Sequence, residues 1–123
     1  MNVASSAGFM PGPLMATYYA TKNYVVSLSR AINKELKKKN SNIKISILCP
    51  GPVNTNFNNV AGVNFGIKPL SSEYVAKFGI DGMLKNKEIL VPGTLTKIAR
   101  FFVKILPWNW VSGAVYNTQK RKL

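Results

Sequence analysis

Histidine is absent from this chain, and cysteine occurs once, at Cys49. With no histidine and a single thiol, a Cys/His metal site is not expected, and a histidine-based catalytic triad is excluded. One cysteine also leaves no internal disulfide, which fits a reducing, cytoplasmic setting. Acidic residues are scarce as well: four Asp and Glu stand against 17 Lys and Arg, for a net charge of +13. Such an imbalance favours anionic partners, whether phosphate, nucleic acid or an acidic membrane face. No run of uncharged apolar residues is long enough to span a bilayer, and the opening "MNVASSAGFM" has neither the basic nor the apolar region of a secretory leader. No zinc finger, RNP-type strand or basic heptad is found, so a nucleic-acid partner is not expected.

What remains is a globular composition: 123 residues, 46% of them hydrophobic. "MNVASS" reads as the end of an apolar strand entering a loop broken by Gly8, Pro11, Gly12 and Pro13. A helix is predicted from about Thr17 to Lys39, with Val25, Leu28, Ile32 and Leu36 on one apolar face. The three lysines at its end oppose the negative pole of the helix dipole. "IKISILCPG" reads as a buried strand stopped by Pro50 and Gly51, with Cys49 as a small core residue. Residues 51–70 read as a long, Asn- and Gly-rich loop, of the kind that is often functional. "SSEYVAKFGIDGMLKNK" is a predicted helix capped by Ser71 or Ser72, "EILVPG" a short strand, and residues 94–123 a basic helical tail interrupted at Pro107. Alternating strands and helices point to a parallel α/β sheet with too few strands to cover its edges. The expectation is an incomplete sheet, the second half of something larger, divided into a body (1–93) and a tail (94–123).

Tyr18 and Lys22 stand one helical turn apart, and so share a helix face. A cation beside a phenol favours the phenolate and brings the group nearer the range useful for proton transfer. Alone, the pair is an ordinary solvated helix start. Ser5, thirteen positions before Tyr18, and "PGPVNT" after the next strand make it more specific. Together, "NVASSAGF", "YYATK" and "CPGPVNTNF" resemble the C-terminal half of the short-chain dehydrogenase/reductase family, closely over residues 2–57 and more loosely to 93. The resemblance implies the C-terminal half of a Rossmann-like, doubly wound parallel sheet and an oxidoreductase that uses NAD or NADP to interconvert a carbonyl and an alcohol. It also implies the site. Tyr18 would be the general acid or base. Lys22 would tune it and hydrogen-bond the nicotinamide ribose. Ser5 would hold the substrate oxygen, its spacing to Tyr18 favouring it over Ser6. Pro50, Gly51, the Val53 backbone and the Thr55 hydroxyl would meet the nicotinamide. Asn54 and the residues to Gly66 would form a substrate lid. The family's Gly-rich phosphate loop and its "NNAG" asparagine are not among these residues. The chain is therefore expected to be a fragment, or a truncated product, with little or no activity alone. Family members commonly form dimers or tetramers through the Tyr–Lys helix, and the stripe from Val25 to Leu36 is compatible with that.

The tail keeps two readings open. Leu95, Ile98, Phe102 and Ile105 form one helical stripe with basic residues interleaved, followed by Trp108, Trp110 and a basic end. This stripe can cover the lid or a neighbouring subunit, the preferred reading, or lie on an anionic membrane. In the second case the chain is a non-catalytic remnant that binds a membrane or protein partner. Tyr19, Tyr24 and Tyr74 are expected to be structural.

Overall fold

The computed structural model describes residues 1–57, 60 and 68–121. In chain order these form β1 (Asn2–Val3), a 3-10 turn (Ser6–Phe9), α1 (Ala16–Lys38), β2 (Ile47–Leu48), β3 (Val53–Asn54), β4 (Leu70–Ser71), α2 (Ser72–Leu84), β5 (Ile89–Leu90), α3 (Thr94–Ile105) and α4 (Trp108–Lys120).

β1, β2 and β5 form a parallel sheet in the order β1-β2-β5, with Ile47 opposite both Asn2 and Ile89. Extended pairing runs past the ladder itself: Ala4 N–H donates to the Leu48 carbonyl at 2.8 Å and Cys49 N–H to the Leu90 carbonyl at 2.7 Å. Because strand side chains alternate, this short sheet builds a core on each face. Ala4, Ile47, Cys49 and Val91 meet Val26 of α1 on one face, and Leu48 and Leu90 meet Val75 of α2 on the other. A helix on each face of a parallel sheet is the incomplete doubly wound arrangement expected from the sequence. Glycine allows α2 to approach: a Cβ at Gly82 would lie 2.2 Å from Leu90 Cδ2.

Several elements differ from the sequence reading. The strand predicted over "IKISILCPG" is buried only in its second half, since Ile43 is exposed. Upstream of β2 the backbone is held by a side chain. Asn33 Nδ2 donates to the Ile45 carbonyl at 2.7 Å while Ile45 N–H donates to Asn33 Oδ1 at 2.8 Å. On α1 the buried residues are Val26 and Ser29, one position off the predicted stripe, and Leu28 is 42% exposed. Ser29 faces the sheet because its hydroxyl receives Asn2 Nδ2 at 2.8 Å and donates to the Val25 carbonyl. Tyr24 is exposed rather than packed, and Tyr74, though about half exposed, sets its ring 6.0 Å from that of Phe78. Within the predicted loop, β3 and β4 form a two-residue parallel pair; most of the predicted lid lies outside the described residues. α2 is capped by Ser71, whose hydroxyl accepts Tyr74 N–H, and it stops at Leu84, ahead of the left-handed Asn86 at φ 55°. The tail divides at Pro107 as predicted, but its halves behave differently: α3 buries no residue, whereas α4 buries Val111 and Gln119.

Asn33 stands in for a strand neighbour, so Asn33→Asp should remove a donor and set a carboxylate against the Ile45 carbonyl. A loss of about 1–3 kcal/mol is expected in urea unfolding. An unchanged midpoint would show that the pair contributes nothing.

Candidate active site

The site is assembled where β1 and β2 end, the place where open parallel sheets present their ligands. Ser5 leaves β1 and caps the 3-10 turn, its Oγ accepting Ala7 N–H at 3.2 Å. Ser6 N–H donates to the Pro50 carbonyl at 2.8 Å, which ties this turn to the end of β2. The Ser5 hydroxyl is also 3.5 Å from the Pro50 carbonyl, at the limit of a hydrogen bond, so its proton is barely engaged.

The turn is fastened to α1 by one side chain. Asn23 Nδ2 lies 3.0 Å from the Ala7 carbonyl, 3.1 Å from that of Met10 and 2.9 Å from that of Tyr19. Two hydrogens serve three acceptors, so at least one bond is shared. This clamp fixes the start of α1, and hence Tyr18, relative to Ser5. Gly12 completes the entry, since a Cβ there would fall 1.9 Å from Tyr19 Cγ.

Ser5, Tyr18, Pro50, Gly51, Val53 and Thr55 all line one cavity of about 440 Å³. Lys22 does not line it. Its Nζ sits 5.8 Å from the centre of the Tyr18 ring and 3.5 Å from the Val3 carbonyl on the edge of the sheet. The Tyr18 ring packs 5.5 Å from that of Phe57, and no described residue hydrogen-bonds its hydroxyl. Thr55 Oγ1 accepts Phe57 N–H at 3.3 Å, which leaves the hydroxyl proton free to donate. Gly51 lies under the first turn of α3, where Thr96 Oγ1 would be 2.6 Å from a Cβ.

One residue of this wall escaped the sequence reading. Gln119, from α4, donates its Nε2 to the Tyr19 hydroxyl at 2.6 Å. Gln119 is 3% exposed, and its Oε1 has no partner among the described residues. Burial pushes the Tyr19 phenol above its ordinary value, against the opposing effect of the Gln119 bond. No spacing rule links residues 19 and 119, so only the fold reveals the pair. Among the described residues no group of three His, Cys, Asp or Glu could hold a metal ion.

Cys49 lies behind this wall, fully buried, and burial pushes its thiol up to about 11 against the opposing pull of Arg100. At pH 8 about a thousandth of it is then ionised, so thiol reagents should label the native protein at least about a hundredfold more slowly than the unfolded chain. The folded value lies above the unfolded one, so this contribution to stability is intact below about pH 9 and lost as pH rises towards about 11. The urea midpoint should fall over that window more steeply in the wild type than in Cys49→Ala. Parallel slopes would remove the assignment.

Residues 1–63 match the short chain dehydrogenase family. The chain is 35% identical over 107 residues to estradiol 17-beta-dehydrogenase 11 of Rattus norvegicus, covering 83% of this chain and 36% of that protein. It is 29% identical over 122 residues to the very-long-chain 3-oxoacyl-CoA reductase of Anas platyrhynchos, covering 98% of this chain and 37% of that one. It thus spans little more than a third of the length of these relatives. Among solved structures, a short chain dehydrogenase from Burkholderia cenocepacia in complex with NADP superposes with a TM-score of 0.70 at 14% identity, over 85% of this chain and 41% of that one. A short-chain dehydrogenase from Sphingobium yanoikuyae in complex with NADPH gives 0.64 at 20% identity, over 86% and 44%. These likenesses establish the incomplete Rossmann-like fold. Because the family match covers more than half of its residues, the chain belongs to the short-chain dehydrogenase family.

Proposed function

We propose that these residues form the proton-transfer half of an NAD- or NADP-dependent oxidoreductase that interconverts a carbonyl and an alcohol. The observation that carries this reading is the single cavity that Ser5 and Tyr18 share with the loop from Pro50 to Thr55. Its volume suits a planar ring beside a small carbonyl group. The barely engaged Ser5 proton and the free Thr55 proton fit a ligand that offers acceptors. Tyr18 and Lys22 would hold the nicotinamide ribose, while the Val53 backbone and Thr55 would meet the carboxamide, with Pro50 and Gly51 shaping the turn. The bound cofactor would supply or accept the hydride.

In reduction, Ser5 donates a hydrogen bond to the carbonyl oxygen and orients it. Tyr18 gives that oxygen its proton as the carbon receives the hydride, and an alcohol results. In oxidation Tyr18 takes the proton back. Lys22 stands beside it on the same helix, its Nζ 5.8 Å from the centre of the Tyr18 ring. The related proteins are named for estradiol and very-long-chain 3-oxoacyl-CoA. This supports an apolar alcohol or ketone as substrate, in keeping with Val53, Phe57 and Val75 on the cavity wall. A cytoplasmic, oligomeric enzyme belongs to the same reading. The phosphate-binding loop is not among these residues, so the 123-residue chain alone should show no turnover.

In the full-length protein, Tyr18→Phe should lower kcat by about a hundredfold or more while weakening cofactor binding by no more than about tenfold, the loss of one hydrogen bond to the ribose. A variant that keeps wild-type kcat would remove Tyr18 from the chemistry.

One observation favours a second role, for the tail. α3 buries nothing, and Leu95, Ile98, Phe101, Phe102 and Ile105 are all exposed. Among the described residues no helix is long and apolar enough to cross a membrane. An amphipathic helix of this kind can instead lie on one. Phe101→Ser with Ile105→Ser should abolish co-sedimentation with lipid vesicles; retained binding would refute the role.

A further inference from the structure

Beside α3 runs a groove of about 1050 Å³ that the oxidoreductase reading does not use. Arg30, Lys34 and Lys37 line it from α1, and Arg100 and Lys104 line it from α3. One acid, Glu88, faces these five cations, and it is 3.7 Å from Arg30. We propose that this groove binds the phosphate headgroup of an anionic lipid, and that it does so while the exposed face of α3 rests on the same membrane. The proposal rests on the membrane role given above and specifies its partner.

Three observations carry it. First, the cations are largely unanswered. Among the described residues the two ion pairs are Arg30–Glu88 and Lys77–Asp81, so Lys34, Lys37, Arg100 and Lys104 have no acid. Second, Arg100 is held without one. Its guanidinium carbon stands 4.8 Å above the Phe9 ring, and its Nε is buried with no partner in the described residues. A guanidinium fixed by an aromatic face keeps its planar donor edge for a phosphate or carboxylate. Third, the groove is continuous with the apolar face. Leu106 and Trp108 line the groove and are 40% and 59% exposed, and Lys104 stands one helical turn after the exposed Phe101.

Charge and apolar surface therefore lie side by side, which selects the ligand. A free phosphate would use the cations and leave Phe101, Phe102 and Ile105 in water. A single-stranded nucleic acid could stack on Trp108, yet would gain nothing from the aliphatic stripe. A bilayer with phosphomonoester headgroups satisfies both, with the indole at the interface and the lysines among the phosphates.

The test is co-sedimentation of the full-length protein with phosphatidylcholine vesicles, with and without phosphatidic acid. The wild type should bind the acidic vesicles more tightly, and salt should weaken that binding. Lys34→Glu with Lys104→Glu should reduce affinity for acidic vesicles by more than about tenfold and leave the weak binding to neutral ones. Lys85→Glu with Lys87→Glu makes the same change of charge away from the groove and should reduce affinity far less. An equal loss in both pairs would reduce the effect to net charge and overturn the site. Unchanged affinity in the groove variant would overturn it while leaving the apolar face in place. Tight binding of inorganic pyrophosphate or a short RNA, competing with vesicles, would replace lipid as the ligand. Failure of the wild type to bind any vesicle would remove this proposal and the membrane role together. The urea midpoint, unchanged in both charge variants, reports that each is folded.

Discussion

The carboxamide of Asn23 holds together two segments that the rest of the site needs in register. It joins the turn after β1 to the first coil of α1 through the carbonyls of Ala7, Met10 and Tyr19. Ser5 is carried by the first segment and Tyr18 by the second. A short helix-capping turn has little stability of its own, since few of its backbone groups find partners within it. Without the clamp, the distance between serine and tyrosine would be set by a loop containing three breakers, Pro11, Gly12 and Pro13. With it, the two side chains face one cavity with the backbone of both segments fixed. The Ser6–Pro50 bond then adds the third wall by locking the same turn to the end of β2.

Much of this was legible in advance because it is local. Tyr18 and Lys22 are a helix-spaced pair, and the strand before Pro50 announces itself by β-branched residues and a sharp stop. The parallel α/β arrangement follows from the alternation of the elements. The misreadings share a cause, which is that tertiary partners displaced local pattern. Ser29 and Asn33 look like interruptions of an apolar stripe, yet each is drawn to the sheet by hydrogen bonds to Asn2 and Ile45, and α1 rotates accordingly. Val53 and Leu70 sit in a segment rich in turn formers, and they pair only because the chain returns to bring them together. Tyr19 and Gln119 are a hundred positions apart, beyond any periodicity.

The tail illustrates the same limit of composition. As a sequence it offered a choice between covering the site and lying on a surface. In the fold the choice divides at Pro107. α4 turns Gln119 inward to the wall beside Tyr19, while α3 turns its aromatic residues outward and Arg100 and Lys104 towards α1. A proline that stops one helix and caps the next gives the halves independent orientations.

That Gln119 closes the cavity from a helix with only one other buried side chain separates two design problems within one small chain. Substitutions along α4 can reshape what the wall admits without touching the strands or the Asn23 clamp, since the Gln119 side chain reaches α1 at the Tyr19 hydroxyl. The stable part is encoded up to Leu90, and the adjustable part follows Pro107. New preferences can then be acquired by drift in the tail, where most changes cost little.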